Sequence, residues 1–124
     1  MKKFLVLAAL LAALAATSVA SASSNLSCRV SVYTTGKYFS GVVLRSDHTS
    51  CPFARNVTRV SLALIIHSGG AGDGDFYVRA YSPVTIKWYL VHCFAHGDIR
   101  STYGIQVDCR AGIGARVVYH AWQN

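Results

Sequence analysis

Two histidines, His92 and His96, stand four residues apart in the run His92-Cys93-Phe94-Ala95-His96. On a helix this spacing would place both imidazoles on one face, an arrangement that holds zinc. The local pattern is strand then turn, and the chain has no glutamate to serve as a metalloprotease base, so no metal site is expected. Gly72-Asp73-Gly74-Asp75 offers two carboxylates, whereas a calcium loop needs roughly six or more oxygen ligands; a solvated loop is expected there. A ribonuclease-like toxin would use two histidines for proton transfer and a cation to stabilise the phosphorane. His67, His92, His96 and His120, with Arg79, Lys87 or Arg110, are candidates, but nothing in the sequence brings two of them together. Nucleophile-elbow and phosphate-loop patterns are missing from the sequence. No catalytic residue and no cofactor is therefore expected.

A second set is suited to binding. Tyr77, Arg79, Tyr81, Lys87 and Tyr89 interleave aromatics with cations on what reads as one exposed sheet face. Such a face could stack bases, but tyrosine and arginine are also common on half-exposed sheets. They are enriched at protein interfaces as well. The expected partner is a protein or a polyanionic envelope polymer, with nucleic acid disfavoured by the evidence for export.

That evidence begins at the N-terminus. Met1-Lys2-Lys3 is a short basic segment, Phe4 to Ala16 an unbroken apolar run, and Thr17 to Ala22 small and polar, ending Ala20-Ser21-Ala22. This is the three-part pattern of a secretory signal peptide. Thirteen apolar residues cover about 20 Å as a helix, short of the roughly 30 Å hydrocarbon core. The expected organisation is a leader over 1–22, cleaved after Ala22 or, as second choice, after Ala20, and a secreted domain over 23–124 with no membrane span. Cys28 lies too far past the leader to be a lipoprotein cysteine.

Composition follows suit. The 124 residues are enough for one domain, and the positive mean hydropathy of +0.34 owes much to the leader, seventeen of whose twenty-two residues are hydrophobic. Loss of Lys2 and Lys3 lowers the formal charge from +7 to +5. The remaining cations are mostly arginine and form no run. Cys28, Cys51, Cys93 and Cys109 all survive cleavage, and an even count in an exported chain of this size reads as two disulfides. Spacings of 23, 42 and 16 contain no C-x-x-C pair. Three connectivities are possible. Cys28 with Cys51 and Cys93 with Cys109 is favoured, because each closes a modest loop and the second pair falls on neighbouring strands. Each would contribute about 3 kcal/mol in a chain-entropy account.

The elements that must position these residues follow from periodicity. Leu26 to Tyr33 alternates, with Cys28, Val30 and Val32 on one side, as a half-buried strand does. Tyr38 to Leu44 is a second short strand. Ser50 caps a helix with Pro52 in its first turn; Phe53, Val57, Val60 and Leu64 form its apolar stripe, and it ends near His67. Ser68 to Asp75 reads as loop. Phe76 to Tyr81 and Ile86 to Phe94 are strands around a Ser82-Pro83-Val84-Thr85 turn. Ala95 to Ser101 is a turn, and Tyr103 to Cys109 and Ala115 to Trp122 are the last strands. The expected fold class is α+β: a single helix packed on a small antiparallel sheet, a C-terminal meander, with two disulfides.

The run Thr49-Ser50-Cys51-Pro52-Phe53-Ala54-Arg55-Asn56-Val57, the turn Ser82-Pro83-Val84-Thr85, the pair Cys93 and Cys109, and Gly112-Ile113-Gly114 ahead of Val117-Val118-Tyr119 together resemble small exported disulfide-bonded proteins of actinobacteria, including mycobacteria and some of their phages. The resemblance spans roughly residues 49 to 120 and departs at Ile86, where that group usually has glycine. It carries no established activity and implies an exported, disulfide-bonded domain. The shared residues are ones that build a fold. The resulting expectation is an uncharacterised, non-enzymatic binding module at or beyond the cell envelope; the alternative is a small basic secreted ribonuclease-like toxin or hydrolase.

Overall fold

Alternation of apolar and polar residues builds six strands. A computed structural model describes residues 26–34, 37–112 and 114–124. The leader expected over 1–22 and its cleavage point lie outside the described residues. The elements are β1 (Leu26–Thr34), β2 (Lys37–Arg45), α1 (Cys51–His67), β3 (Gly74–Ser82), β4 (Lys87–Gly97), β5 (Ile105–Ala111) and β6 (Ala115–Gln123). All pairings are antiparallel, in the order β1-β2-β6-β5-β4-β3. The C-terminal meander is thus part of a larger sheet, because β6 also pairs with β2.

Helix α1 starts where the sequence places it. Ser50 is the N-cap and accepts from the Phe53 amide at 3.3 Å, with Pro52 in the first turn. The helix packs most extensively on β3 and next on β1, the two outer strands of the sheet, and more lightly on β2 and β6. One helix reaches both edges only if the sheet curls around it. Small inward residues, including Ala80, Ala95, Ala111 and Ala121, leave room for that curvature. Adjacent residues of α1 satisfy both edges: Arg55 Nε donates to the Arg29 carbonyl of β1 at 3.3 Å, and Asn56 Nδ2 to the Tyr81 carbonyl of β3 at 2.9 Å.

The buried side of α1 differs in part from the expected stripe. Phe53 and Val57 are buried, but Val60 and Leu64 are 38% and 41% exposed. Ala54, Thr58, Ser61, Leu62 and Ile65 face the core instead. Two hydroxyls misled the pattern: Thr58 and Ser61 donate back to the carbonyls of Ala54 and Val57, which lets polar residues sit inside. Ser61 Oγ also lies 2.8 Å from the hydroxyl of fully buried Tyr119. Because Ser61 donates to the backbone, Tyr119 donates to Ser61, and burial pushes the phenol pKa far up.

The disulfides are Cys28–Cys51 and Cys93–Cys109. The first ties β1 to the start of α1, the second joins directly opposed residues of β4 and β5. Several boundaries move. Gly74 and Asp75 belong to β3 rather than to the preceding loop, β4 runs on through Gly97, placing its turn over 98–104, and β5 covers Ile105–Ala111 rather than Tyr103 to Cys109. Pairing of Gly97 with Ile105 extends the ladder where local composition reads as turn. Gly104 closes this corner at φ +68°, where an added Cβ would stand 2.2 Å from the Ala121 carbonyl oxygen.

The β3–β4 turn is held by the Ile86 amide donating to the Ser82 carbonyl at 2.8 Å. Ile86 itself has φ +56°, the left-handed conformation that a β-branched residue resists. Glycine would adopt it freely. Ile86 is 75% exposed, so its side chain gives little burial in return. Ile86→Gly is expected to stabilise the protein by about 0.5–1 kcal/mol, the left-handed penalty less the extra chain entropy of glycine. Urea unfolding checks this: the midpoint should rise, and a fall would contradict the strain.

Candidate binding face

The β3–β4 hairpin carries the site residues. Four residues separate Ser82 from Lys87, which pair with each other, so an odd-numbered residue of β3 stands opposite an even-numbered one of β4. Tyr81 faces Trp88, Arg79 faces Leu90, Tyr77 faces His92 and Asp75 faces Phe94. These side chains lie on the outer side of the sheet, since Val78, Ala80, Val91 and Cys93 occupy the inner side. Of the five residues expected to share a face, the structure brings together Tyr77, Arg79 and Tyr81. Lys87 and Tyr89 fall on the other side. Tyr89 packs edge-on against Phe53 of α1 with ring centroids 5.4 Å apart, and its hydroxyl donates to Thr85 Oγ1 at 3.0 Å. Carrying the odd numbers of β3 across the turn misplaces both residues.

The sequence reading passed over Trp88, Leu90 and Phe94. On the outer face Tyr77, Trp88, Leu90 and Phe94 are 59%, 61%, 63% and 57% exposed. Ring contacts from neighbours hold Trp88 and Tyr77. Arg79 lies over the Trp88 ring, 5.9 Å from its centroid, and Tyr81 packs on Trp88 at 5.4 Å. Tyr77 stacks on His92 at 4.5 Å with ring planes 11° apart. Beyond them, Arg110 on β5 stands opposite His92, and Asp108 opposite Phe94. Arg116 holds Asp108 through two hydrogen bonds of 3.2 and 2.8 Å. Arg79 has no carboxylate partner among the described residues.

The histidines and aspartates singled out in the sequence form separate pairs. His92 Nε2 is 3.0 Å from Asp75, and His96 Nδ1 is 3.0 Å from Asp73. The two imidazoles are four residues apart on one strand, about 13 Å at the usual rise. His120 bonds the Tyr103 carbonyl, and His67 ends α1. His96 and His120 lie on either side of Gln106, two strand spacings or about 10 Å apart. No group of three or more metal-ligating side chains occurs among the described residues, and no described helix is long and apolar enough to cross a membrane.

Two carboxyls are shifted. The His92 hydrogen bond holds Asp75 below the usual carboxylate range, and the Arg100 guanidinium with the Arg100 amide brings Asp98 down to about 2. No protein-family model matches the chain, nor does any curated protein or solved structure.

The Asp75 shift makes a prediction with a definite sign. A carboxyl depressed in the folded state supports the fold above its ordinary pKa, and this support is lost as pH falls through the folded value. A side-chain carboxyl titration by NMR should place Asp75 below the ordinary midpoint in the native protein, and His92→Gln should raise it. An Asp75 midpoint unaffected by the substitution would show that His92 is not its cause.

Proposed function

We propose that the protein is an exported, non-enzymatic binding module that acts at or beyond the cell envelope through the outer face of its β3–β4 hairpin. The observation that carries this reading is the exposure of Tyr77, Trp88, Leu90 and Phe94 side by side on one face. Exposed aromatic and aliphatic side chains clustered with Arg79 and His92 on one face are of the kind that marks interaction sites. Trp, Tyr and Arg are the residue types that dominate binding energy at protein interfaces. Their stacking on Arg79, Tyr81 and His92 orders them before the partner arrives, which lowers the entropic cost of association. The favoured partner is a protein with an apolar surface and a carboxylate to meet Arg79. An anionic envelope polymer would use the arginines but leave Leu90 and Phe94 idle. The apolar run over 4–16 supports delivery by a cleaved leader, and two disulfides suit an oxidising compartment.

The secondary reading, RNA hydrolysis, rests on His92 with its Asp75 partner beside Arg110. Two proton-transfer groups must flank one phosphodiester, and the spacings of about 10–13 Å between outer-face histidines weigh against it. RNA cleavage by the purified protein, lost in His92→Ala, would favour that reading over binding alone.

The binding reading predicts a site-specific result. A photo-crosslinking amino acid at Leu90, in protein exposed to envelope material of the producing cells, should give one dominant protein adduct. The same probe at exposed Arg59 on α1 should not. Trp88→Ala should then weaken binding to that purified partner by about thirtyfold, the size of an ordinary hot-spot loss of about 2 kcal/mol. Equal labelling from both positions, or adducts only with polymer, would overturn the choice of a protein partner at this face.

A further inference from the structure

The two disulfides have the same chemistry and very different surroundings. Cys93–Cys109 lies between neighbouring strands inside the sheet, with its residues 0% and 1% exposed. Cys28–Cys51 joins outer strand β1 to the first residue of α1; Cys28 is buried and Cys51 only half-buried. Arg45 lies against the Cys51 sulfur in a part-buried contact. Its Nε donates to Cys51 Sγ at 3.2 Å, and its Nη1 is anchored on the Thr49 carbonyl at 2.6 Å. The guanidinium is therefore held against the sulfur. No acidic residue occurs in the first turn of α1, and Asp47, the carboxylate nearest in sequence, lies with His48 at 3.7 Å. Arg55, one turn into α1, adds a second cation, its Nε on the Arg29 carbonyl next to Cys28.

A sulfur in such surroundings is favoured as thiolate, and a thiolate is both the nucleophile and the leaving group of disulfide exchange. We propose that Cys28–Cys51 is a thiol–disulfide exchange site, with Cys51 as the sulfur that receives the incoming thiol and an accessible dithiol as the substrate class. A substrate thiolate attacks Cys51 Sγ. The Cys28–Cys51 bond breaks, its electron pair leaves on the Cys28 sulfur, and that sulfur takes a proton from solvent. The second thiolate of the substrate then attacks the substrate sulfur in the mixed disulfide, and Cys51 departs as a thiolate beside Arg45. The dithiol is oxidised to a disulfide, and Cys28–Cys51 is reduced by the same two electrons. Cys93–Cys109 takes no part. Opening the site also removes the covalent tie between β1 and α1.

Limiting dithiothreitol added to the oxidised exported protein, followed by acid quench, alkylation and peptide mapping, reads which bond opens. Cys28–Cys51 should open at least about tenfold faster than Cys93–Cys109, and reduced glutathione should be trapped on Cys51. In the reduced protein, Arg45→Gln should slow iodoacetamide labelling of Cys51 at pH 6 by about tenfold and move its pH profile upward, with Arg45→Lys retaining most of the rate. The wild-type mapping stands alone if Arg45→Gln fails to fold. Opening of both bonds at one rate that increases with urea, or glutathione trapped on Cys28, would overturn the assignment.

Discussion

A β-sheet with open edges leaves backbone groups unpaired along them, and in this protein α1 reaches one carbonyl on each edge strand. Arg55 and Asn56, adjacent on one turn of the helix, reach the carbonyls of Arg29 on β1 and Tyr81 on β3. The helix thereby spans the sheet from β1 to β3 and packs on both outer strands. Each bond alone is worth only about 1 kcal/mol, and the one from Arg55 lies exposed at the surface. Burial of Phe53, Val57, Leu62 and Ile65 supplies the larger stabilising term. Tyr119, reaching from β6 to Ser61, fixes the helix from the opposite wall.

With the hairpin tethered at Tyr81, its two faces have different roles. The inner face packs Tyr89 on Phe53 and contributes to the core. The outer face has no such cover among the described residues. Its aromatic and arginine side chains order one another through stacking and ring contacts, so they present a fixed surface without a neighbouring element. The tip accepts a strained Ile86 in a position suited to glycine, a local conflict of the kind found where a sequence serves more than its own stability.

Much of this fold was legible from residue types alone. The cap at Ser50 follows from the Ser-Cys-Pro run, the helix end at His67 from the Ser68-Gly69-Gly70 beyond it, and the two disulfides from modest loop closure, with Cys93 and Cys109 also on neighbouring strands. The helix stripe was legible only for its first turns, because Thr58 and Ser61 hide their polarity by bonding back to the helix. Pairing of β6 with β2 joins residues some eighty positions apart, and no local pattern encodes it. The candidate face was half legible for a sharper reason. Alternation assigns sides within each strand, but the relative sides of two strands depend on the number of residues in the turn. The four-residue loop after Ser82 puts Trp88 and Leu90 beside Tyr81 and Arg79 and sends Lys87 and Tyr89 to the opposite side.

The outer hairpin face as the working surface is tested most directly by hydroxyl-radical footprinting of the protein free and bound to envelope material, with oxidation read by mass spectrometry. Tyr103, 87% exposed and in the turn before β5, serves as an internal reference for Trp88, which is 61% exposed. Protection of Trp88 and Tyr77 on binding, with Tyr103 unchanged, is the result this structure predicts. Equal oxidation of Trp88 in the free and bound protein, or protection confined to Tyr103, would contradict it.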